Sequence, residues 1–361
     1  MIKAKDILPV FLELIAIDPS GGQEKKLAQA VLRRFAAAGC RARPDRYGNV
    51  LAFLPGQGEA LLYCARLDAA GPGPRAKPLI KGDLIRSAGA AVLGADSMAG
   101  AAAMLAAAQG LHTKKAKHRP LEMVFTRRPE AGLSGAGNLP FHKLRAKEAL
   151  VIEAAGPLGR IVTAAPHIYH LDIVVKGRSA DAGWEPEKGL NAIRVASRAI
   201  AEIRTGRITK TVTNNIALIS GGHALGIVPD RVEVKAETRA LSLKEAQAQA
   251  DLIIRAFKKQ VRLAKAGLYL KTRLAVRGYA WPARDEFIKS IIRINHQLGL
   301  VSSVGSDGGL SDANILAEKK IKAVAISAGT KNRLTARETI RVSELVKIAN
   351  FLAAFAQVIK K

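Results

Sequence analysis

Acidic side chains are scarce in this chain: 30 Asp and Glu stand against 57 Lys and Arg, a formal net charge of +27 over 361 residues. A field of that sign attracts polyanions and disfavours cationic partners. Aromatic residues make up only 4% of the chain, and the basic residues are spread along its whole length, so no base-stacking motif is apparent. Non-specific attraction is easier to support than sequence-specific recognition. The two cysteines, Cys40 and Cys64, are too few for a disulfide framework and sit among apolar or small residues, where a free thiol packs. Long apolar runs are missing too. The N-terminal stretch ILPVFLELIAI is short and interrupted by Pro9 and Glu13, which fits neither a signal peptide nor a membrane-spanning helix. A cytoplasmic location without a membrane partner is the expectation. No Gly-rich phosphate loop, no C-x-x-C pair and no recognisable Ser-His-Asp context occurs.

What is present is a globular composition, 48% apolar, in a chain whose length fits two domains better than one. Ser20 and Gln23 form a capping-box pattern ahead of Leu27, Val31 and Phe35 at helical spacing, and Gly39 closes the segment, so a helix is expected over about 21–38. Apolar runs at 50–56, 60–67 and 121–127 read as buried strands, with an alanine-rich helix at 98–110 between the last two. Alternation of this kind predicts an α/β fold, a mainly parallel sheet sandwiched by helices.

The middle of the chain changes character. From His167 a strand, a helix at 190–203, strands at 214–222 and 230–241 and a helix at about 243–266 make a separate α+β unit. The helix at 287–300, the buried strand at 321–329 and a last helix over about 342–359 then return to the first pattern. The expected division is one domain over 1–166 and 279–361, with an inserted α+β domain over 167–278.

Seven stretches carry a resemblance over nearly the full chain: RLDAAGPG (66–73), AVLGADSMAGAAAML (91–105), RPEAGLSGAG (128–137), GWEPEKGLNAI (183–193), ISGGHALGIVPD (219–230), GGLSDANIL (308–316) and GTKNRLTARETI (329–340). In order and spacing they resemble the zinc-dependent exopeptidases that include peptidase T, bacterial carboxypeptidases and aminoacylases, and peptidase T-like members best. The resemblance implies two zinc ions held by histidines and carboxylates, a glutamate base beside a ligand glutamate, and an inserted lid domain that often forms a homodimer.

Residue by residue, the implied metal site is degenerate. The first imidazole position is Arg66 and the last is Leu334, neither able to ligate a metal. Asp68, which would orient the first histidine, has lost the group it serves. Bridging Asp96 and ligand Glu130 are kept, Glu153 stands at the third carboxylate position, and the base position is Pro129, which accepts no proton. In the inserted domain the oxyanion histidine is replaced by Asp181, whose charge would repel an oxyanion, and an asparagine by Gly226, while Arg239 matches the arginine for a substrate carboxylate.

Converging carboxylates need a cation. Arg66 among Asp96, Glu130 and Glu153 is the favoured one, and no cofactor is expected; the alternative is a single hard divalent cation such as Mg²⁺ or Ca²⁺ on oxygens alone. A pseudo-enzyme retained as a binding protein for an acidic protein, RNA or another polyanion is therefore expected, against an active peptide or amide hydrolase with an atypical carboxylate metal site. For such a partner the candidate surface is the helical stripe Arg255, Lys258, Lys259, Arg262 and Lys265, with a further cluster at Lys114, Lys115, Lys117 and Arg119.

Overall fold

The computed structural model describes residues 1–17, 24–67, 77–127 and 133–359. Two compact units emerge, one comprising Met1–Thr163, Trp281–Ser306 and Leu310–Lys361, the other Ala164–Ala280 with Asp307–Gly309.

In the first unit α1 (Ala4–Ala16) and α2 (Glu24–Ala37) precede β1 (Arg41–Pro44), β2 (Val50–Leu54), β3 (Leu61–Arg66), β4 (Pro78–Lys81), β5 (Leu84–Ser87), α3 (Ala95–Thr113), β6 (Leu121–Thr126), the single turn α4 (Ser134–Gly137), β7 (Glu148–Ala154) and β8 (Arg160–Ala165). The second unit contributes β9 (His167–Lys176), α5 (Ala192–Ala201), β10 (Gly206–Arg207), β11 (Val212–Gly221), β12 (Arg231–Ala240), α6 (Leu243–Ala264), β13 (Gly267–Val276) and β14 (Tyr279–Ala280). The chain then returns through α7 (Glu286–Gln297), β15 (Ser303–Ser306), α8 (Asp312–Glu318), β16 (Lys322–Ser327), β17 (Thr339–Arg341) and α9 (Val342–Ala356).

The main sheet runs β1-β2-β6-β3-β7-β16-β8. Its centre is parallel, β6 with β3, β3 with β7 and β7 with β16, and antiparallel strands flank it. Strand periodicity separates its faces. Leu61, Tyr63, Ala65, Leu121, Met123 and Phe125 enter the hydrophobic core with α1, α2, α3 and α9, and the alternate residues Cys64, Arg66, Thr126 and Glu153 fall on the opposite face. α3 is alanine-rich and buried on nearly every side. It can approach β7 because Gly100 has no side chain: a Cβ there would lie 2.6 Å from the Ile152 carbonyl oxygen.

The second unit is a sheet ordered β10-β11-β12-β9-β13, antiparallel throughout. Val195, Ala196 and Ala199 of α5 and Ile253, Phe257 and Val261 of α6 share its core. The expected helices and strands of this unit form at their places, and β13 is an addition. Its sequence GLYLKTRLAV does alternate, with Leu268, Leu270, Leu274 and Val276 on the less exposed parity and Leu268 and Leu270 packed on the core, so the period-2 signal of a strand is present although none was expected there. In the first unit α2 begins at Glu24, and the capping pair Ser20 and Gln23 lies outside the described residues.

Candidate functional site

Of the residues singled out from sequence, Arg66, Asp96, Glu153, Leu334, Asp181, Arg239 and the α6 cations lie within the described residues; Asp68, Pro129 and Glu130 lie outside them. Arg66 closes β3 and Glu153 lies near the end of the neighbouring parallel strand β7, so the fold brings them to one edge. The Arg66 guanidinium nitrogen is 3.8 Å from Glu153 Oε2. Oε1 of the same carboxylate accepts from Ser311 Oγ at 2.5 Å and from the Asp312 backbone N–H at 2.8 Å. Both donors belong to the start of α8, whose N-cap Ser311 also accepts from the Ala313 N–H at 3.0 Å.

Asp312 is the partner that sequence reading did not find. Its Oδ2 accepts from Thr126 Oγ1 at 2.5 Å and lies 3.7 Å from the Cys64 sulfur. With Glu153 7% and Asp312 3% exposed, two carboxylates face one another away from water. Burial, and then the Asp312 charge, push the Glu153 carboxyl up to about 7, with Arg66 and the two hydrogen bonds pulling the other way. Cys64 is raised well above the ordinary thiol range, first by burial and then by the charges of Asp312 and Glu153. Arg66, Thr126, Arg127, Leu133, Gly135, Leu310 and Asp312 line a cavity of about 30 Å³, the space of a single water.

Asp96 is served by a different cation. It sits in the first turn of α3, and Arg333 grips it with two nitrogens, Nε on Oδ1 and Nη2 on Oδ2, the second at 2.9 Å. This is the fork-on-carboxylate geometry. Beside it the fully buried Glu338 accepts from the backbone N–H groups of Gly94, Ala95 and Asp96 at 2.6, 3.0 and 3.1 Å. A carboxylate thus caps the positive end of α3, although burial and the nearby Asp96 charge raise its pKa.

Arg66 was expected among Asp96, Glu130 and Glu153, bonded to one or two of them; it lies against Glu153, while Asp96 is held by Arg333. The described carboxylates divide between two guanidiniums, Arg66 for Glu153 and Arg333 for Asp96. The signal for Arg333 was available, since it directly precedes Leu334 in GTKNRLTARETI. Leu334 itself is 51% exposed and in the left-handed region at φ 63°. Among the described residues, no group of three or more His, Cys, Asp or Glu could hold a metal ion.

The second unit's candidates occupy separate places. Asp181 is exposed and caps its own turn, accepting from the N–H groups of Gly183 and Trp184, both at 2.8 Å. Arg239 is paired with Glu237 at 2.8 Å and donates to the Gly308 carbonyl at 3.1 Å. Arg255, Lys258, Lys259 and Arg262 are exposed on α6, and Lys259 is bound to Glu202 at 2.9 Å. Lys265 was expected to continue this stripe; it is the C-cap, with left-handed backbone at φ 51°, so the helical spacing ends before it. No helix among the described residues is long and apolar enough to cross a membrane.

Comparison with known proteins bears on this architecture. Residues 167–264 match the M20 peptidase dimerisation domain. The chain is 30% identical to the uncharacterized protein YqjE of Bacillus subtilis (strain 168) over 367 residues, 99% of each. Among solved structures it is similar to the aminopeptidase PepT of Bacillus cereus, with 30% identity, 99% of this chain and 98% of that chain covered, and a TM-score of 0.90. A tripeptidase of Staphylococcus aureus is 26% identical, with 99% of both chains covered and a TM-score of 0.93. The chain belongs to the M20 peptidase family, as a peptidase T-like member.

Proposed function

We propose that this M20 homologue no longer hydrolyses peptides by a two-metal route and acts as a binding protein. The observation that carries the reading is the pair of guanidinium–carboxylate contacts, Arg333 on Asp96 and Arg66 on Glu153. In this reading each cation stands where the family resemblance expects a metal, and the residues present do not fit a two-zinc centre. Arg66 and Leu334 offer no lone pair, and both oxygens of Asp96 are already engaged. Pro129 cannot take a proton, and loss of a general base alone costs about 10²–10⁴-fold in rate.

A partner of negative charge follows from the +27 balance, and the exposed Arg255, Lys258 and Arg262 offer it a surface. Arg239 remains a candidate for a carboxylate, now in competition with Glu237. A homodimer through the inserted unit, taken as 167–278, is supported by its match to a dimerisation domain. The second reading, an active peptide or amide hydrolase using one hard divalent cation on Asp96, Glu130 and Glu153, is favoured by the likeness to PepT and to a tripeptidase over 99% of this chain.

Metal analysis separates the two. Purified protein is equilibrated with Zn²⁺ or Mn²⁺, dialysed and assayed for bound ions. The binding-protein reading expects well under one tightly held ion per chain. Two tightly held ions per chain, or one accompanied by peptide hydrolysis, would overturn it.

A further inference from the structure

Away from the carboxylate cluster, the β1 edge of the main sheet holds a groove of about 590 Å³, a size typical of ligand-binding sites. Its floor is built by strand register. Arg41 stands opposite Phe53 and Phe53 opposite Glu122; Arg43 stands opposite Leu51 and Leu51 opposite Val124. Two rows therefore cross the same sheet face, each with an arginine at the edge and an apolar residue in the middle. The other wall is the segment carrying Lys143, Leu144 and Arg145. Glu122 fixes that wall: it is 6% exposed, and its two oxygens accept from the Arg145 N–H at 2.8 and 3.1 Å and from the Ala146 N–H at 3.0 Å.

Charge and shape specify the occupant. Arg41, Arg43, Lys143 and Arg145 are all exposed, and the buried carboxylate beside them is spent on backbone amides. A cationic rim over an apolar floor suits a ligand with both anionic and apolar groups. We propose that this groove binds an acidic peptide segment of a partner protein, its carboxylates on the arginine rim and an apolar side chain over Leu51 and Phe53. Arg41 and Arg43 are two residues apart on one strand, about 6.8 Å, which is also the spacing of alternate side chains in an extended peptide. Single-stranded nucleic acid fits less well. Among the described lining residues Phe53 is the one aromatic, where stacking recognition uses several, and a continuous phosphate chain would pass over Glu122. The inference goes beyond the proposed function, because it requires neither loss of hydrolysis nor the α6 surface.

The test is fluorescence anisotropy on the full chain with four labelled probes: an alternating Glu/Leu peptide, the same peptide with Gln for Glu, an oligoglutamate and an oligouridine. Saturable binding of the Glu/Leu peptide is expected, at least tenfold tighter than the Gln version and the oligoglutamate. The exposed double substitution Arg41→Glu with Arg43→Glu should weaken it tenfold or more, and Lys81→Glu with Lys271→Glu, exposed cations outside the groove lining, should leave it within twofold. Absence of peptide binding, equal affinity for oligoglutamate, indifference to the β1 substitutions, or tighter oligouridine binding lost with the same two arginines would each overturn the proposal. Metal stoichiometry reads the catalytic question separately.

Discussion

Arg333 and Asp96, 237 positions apart in sequence, meet as a two-pronged ion pair at the start of α3. Asp96 is 8% exposed and the Arg333 side chain 23%. Removing the cation leaves a carboxylate stranded beside Glu338, so Arg333→Leu should destabilise the protein by about 1–3 kcal/mol, below the full cost of breaking a wholly buried pair because Arg333 keeps some solvent. Urea unfolding measures this. Adding Asp96→Asn should recover much of the loss, and additive losses would argue against the pairing.

Glu153 makes stability depend on pH in an uncommon direction. Its carboxyl is raised to about 7 from an ordinary 4.5, so between those values the folded chain holds a proton that the unfolded chain has released. Stability from this group therefore grows as pH falls from about 7 towards 4.5 and is absent above 7. Denaturation curves across that window should show wild type gaining relative to Glu153→Gln. Parallel curves would reject the assignment.

Both cysteines are buried; burial pushes the Cys40 thiol up to about 12 and, with the Asp312 and Glu153 charges, holds Cys64 well above its normal range. Thiolate is the reactive form. A disulfide reagent at pH 8 should leave both unmodified in the native state and titrate both after unfolding. Rapid native labelling of Cys64 would mean that the carboxylate cluster is open to solvent.

The contact at Gly100 tests how α3 is placed. A methyl group there must displace the backbone of β7 at Ile152, a distance of 2.6 Å from Cβ to oxygen, so Gly100→Ala should cost about 1–3 kcal/mol despite alanine's better helix propensity. A stabilised variant would show that α3 and β7 are not so closely packed.

On α6 the cations are unequal. Lys259 is committed to Glu202, so Lys259→Ala should change heparin affinity less than Lys258→Ala or Arg262→Ala. Affinity should also fall steeply with salt, as counterion release requires. A flat salt response would exclude the polyanion role for this face.

Local pattern carried a good deal of this. The strands at β2, β3 and β6, the helices α3, α5, α6, α7 and α9, and the alternation that gives a mainly parallel sheet are properties of spacing and turn residues, and they are legible without a structure. So is the chemical fact that Arg66, Leu334 and Pro129 cannot do the work of histidine and glutamate. β13 was legible too, in the alternation of Leu268, Leu270, Leu274 and Val276, although Thr272 interrupts the apolar row and most positions stay half or fully exposed.

Composition and motif spacing alone determined the fold class, the family resemblance and the excess positive charge. Only tertiary structure decided which charge meets which. Arg333, Glu338, Asp312 and Ser311 lie within motifs already noted, yet their roles depend on partners up to 244 positions away. Pairing of buried charges is settled by geometry and desolvation at contact distance, quantities to which sequence separation is blind. The same holds for the β1 groove, whose floor exists because three strands in register present alternate side chains to one face.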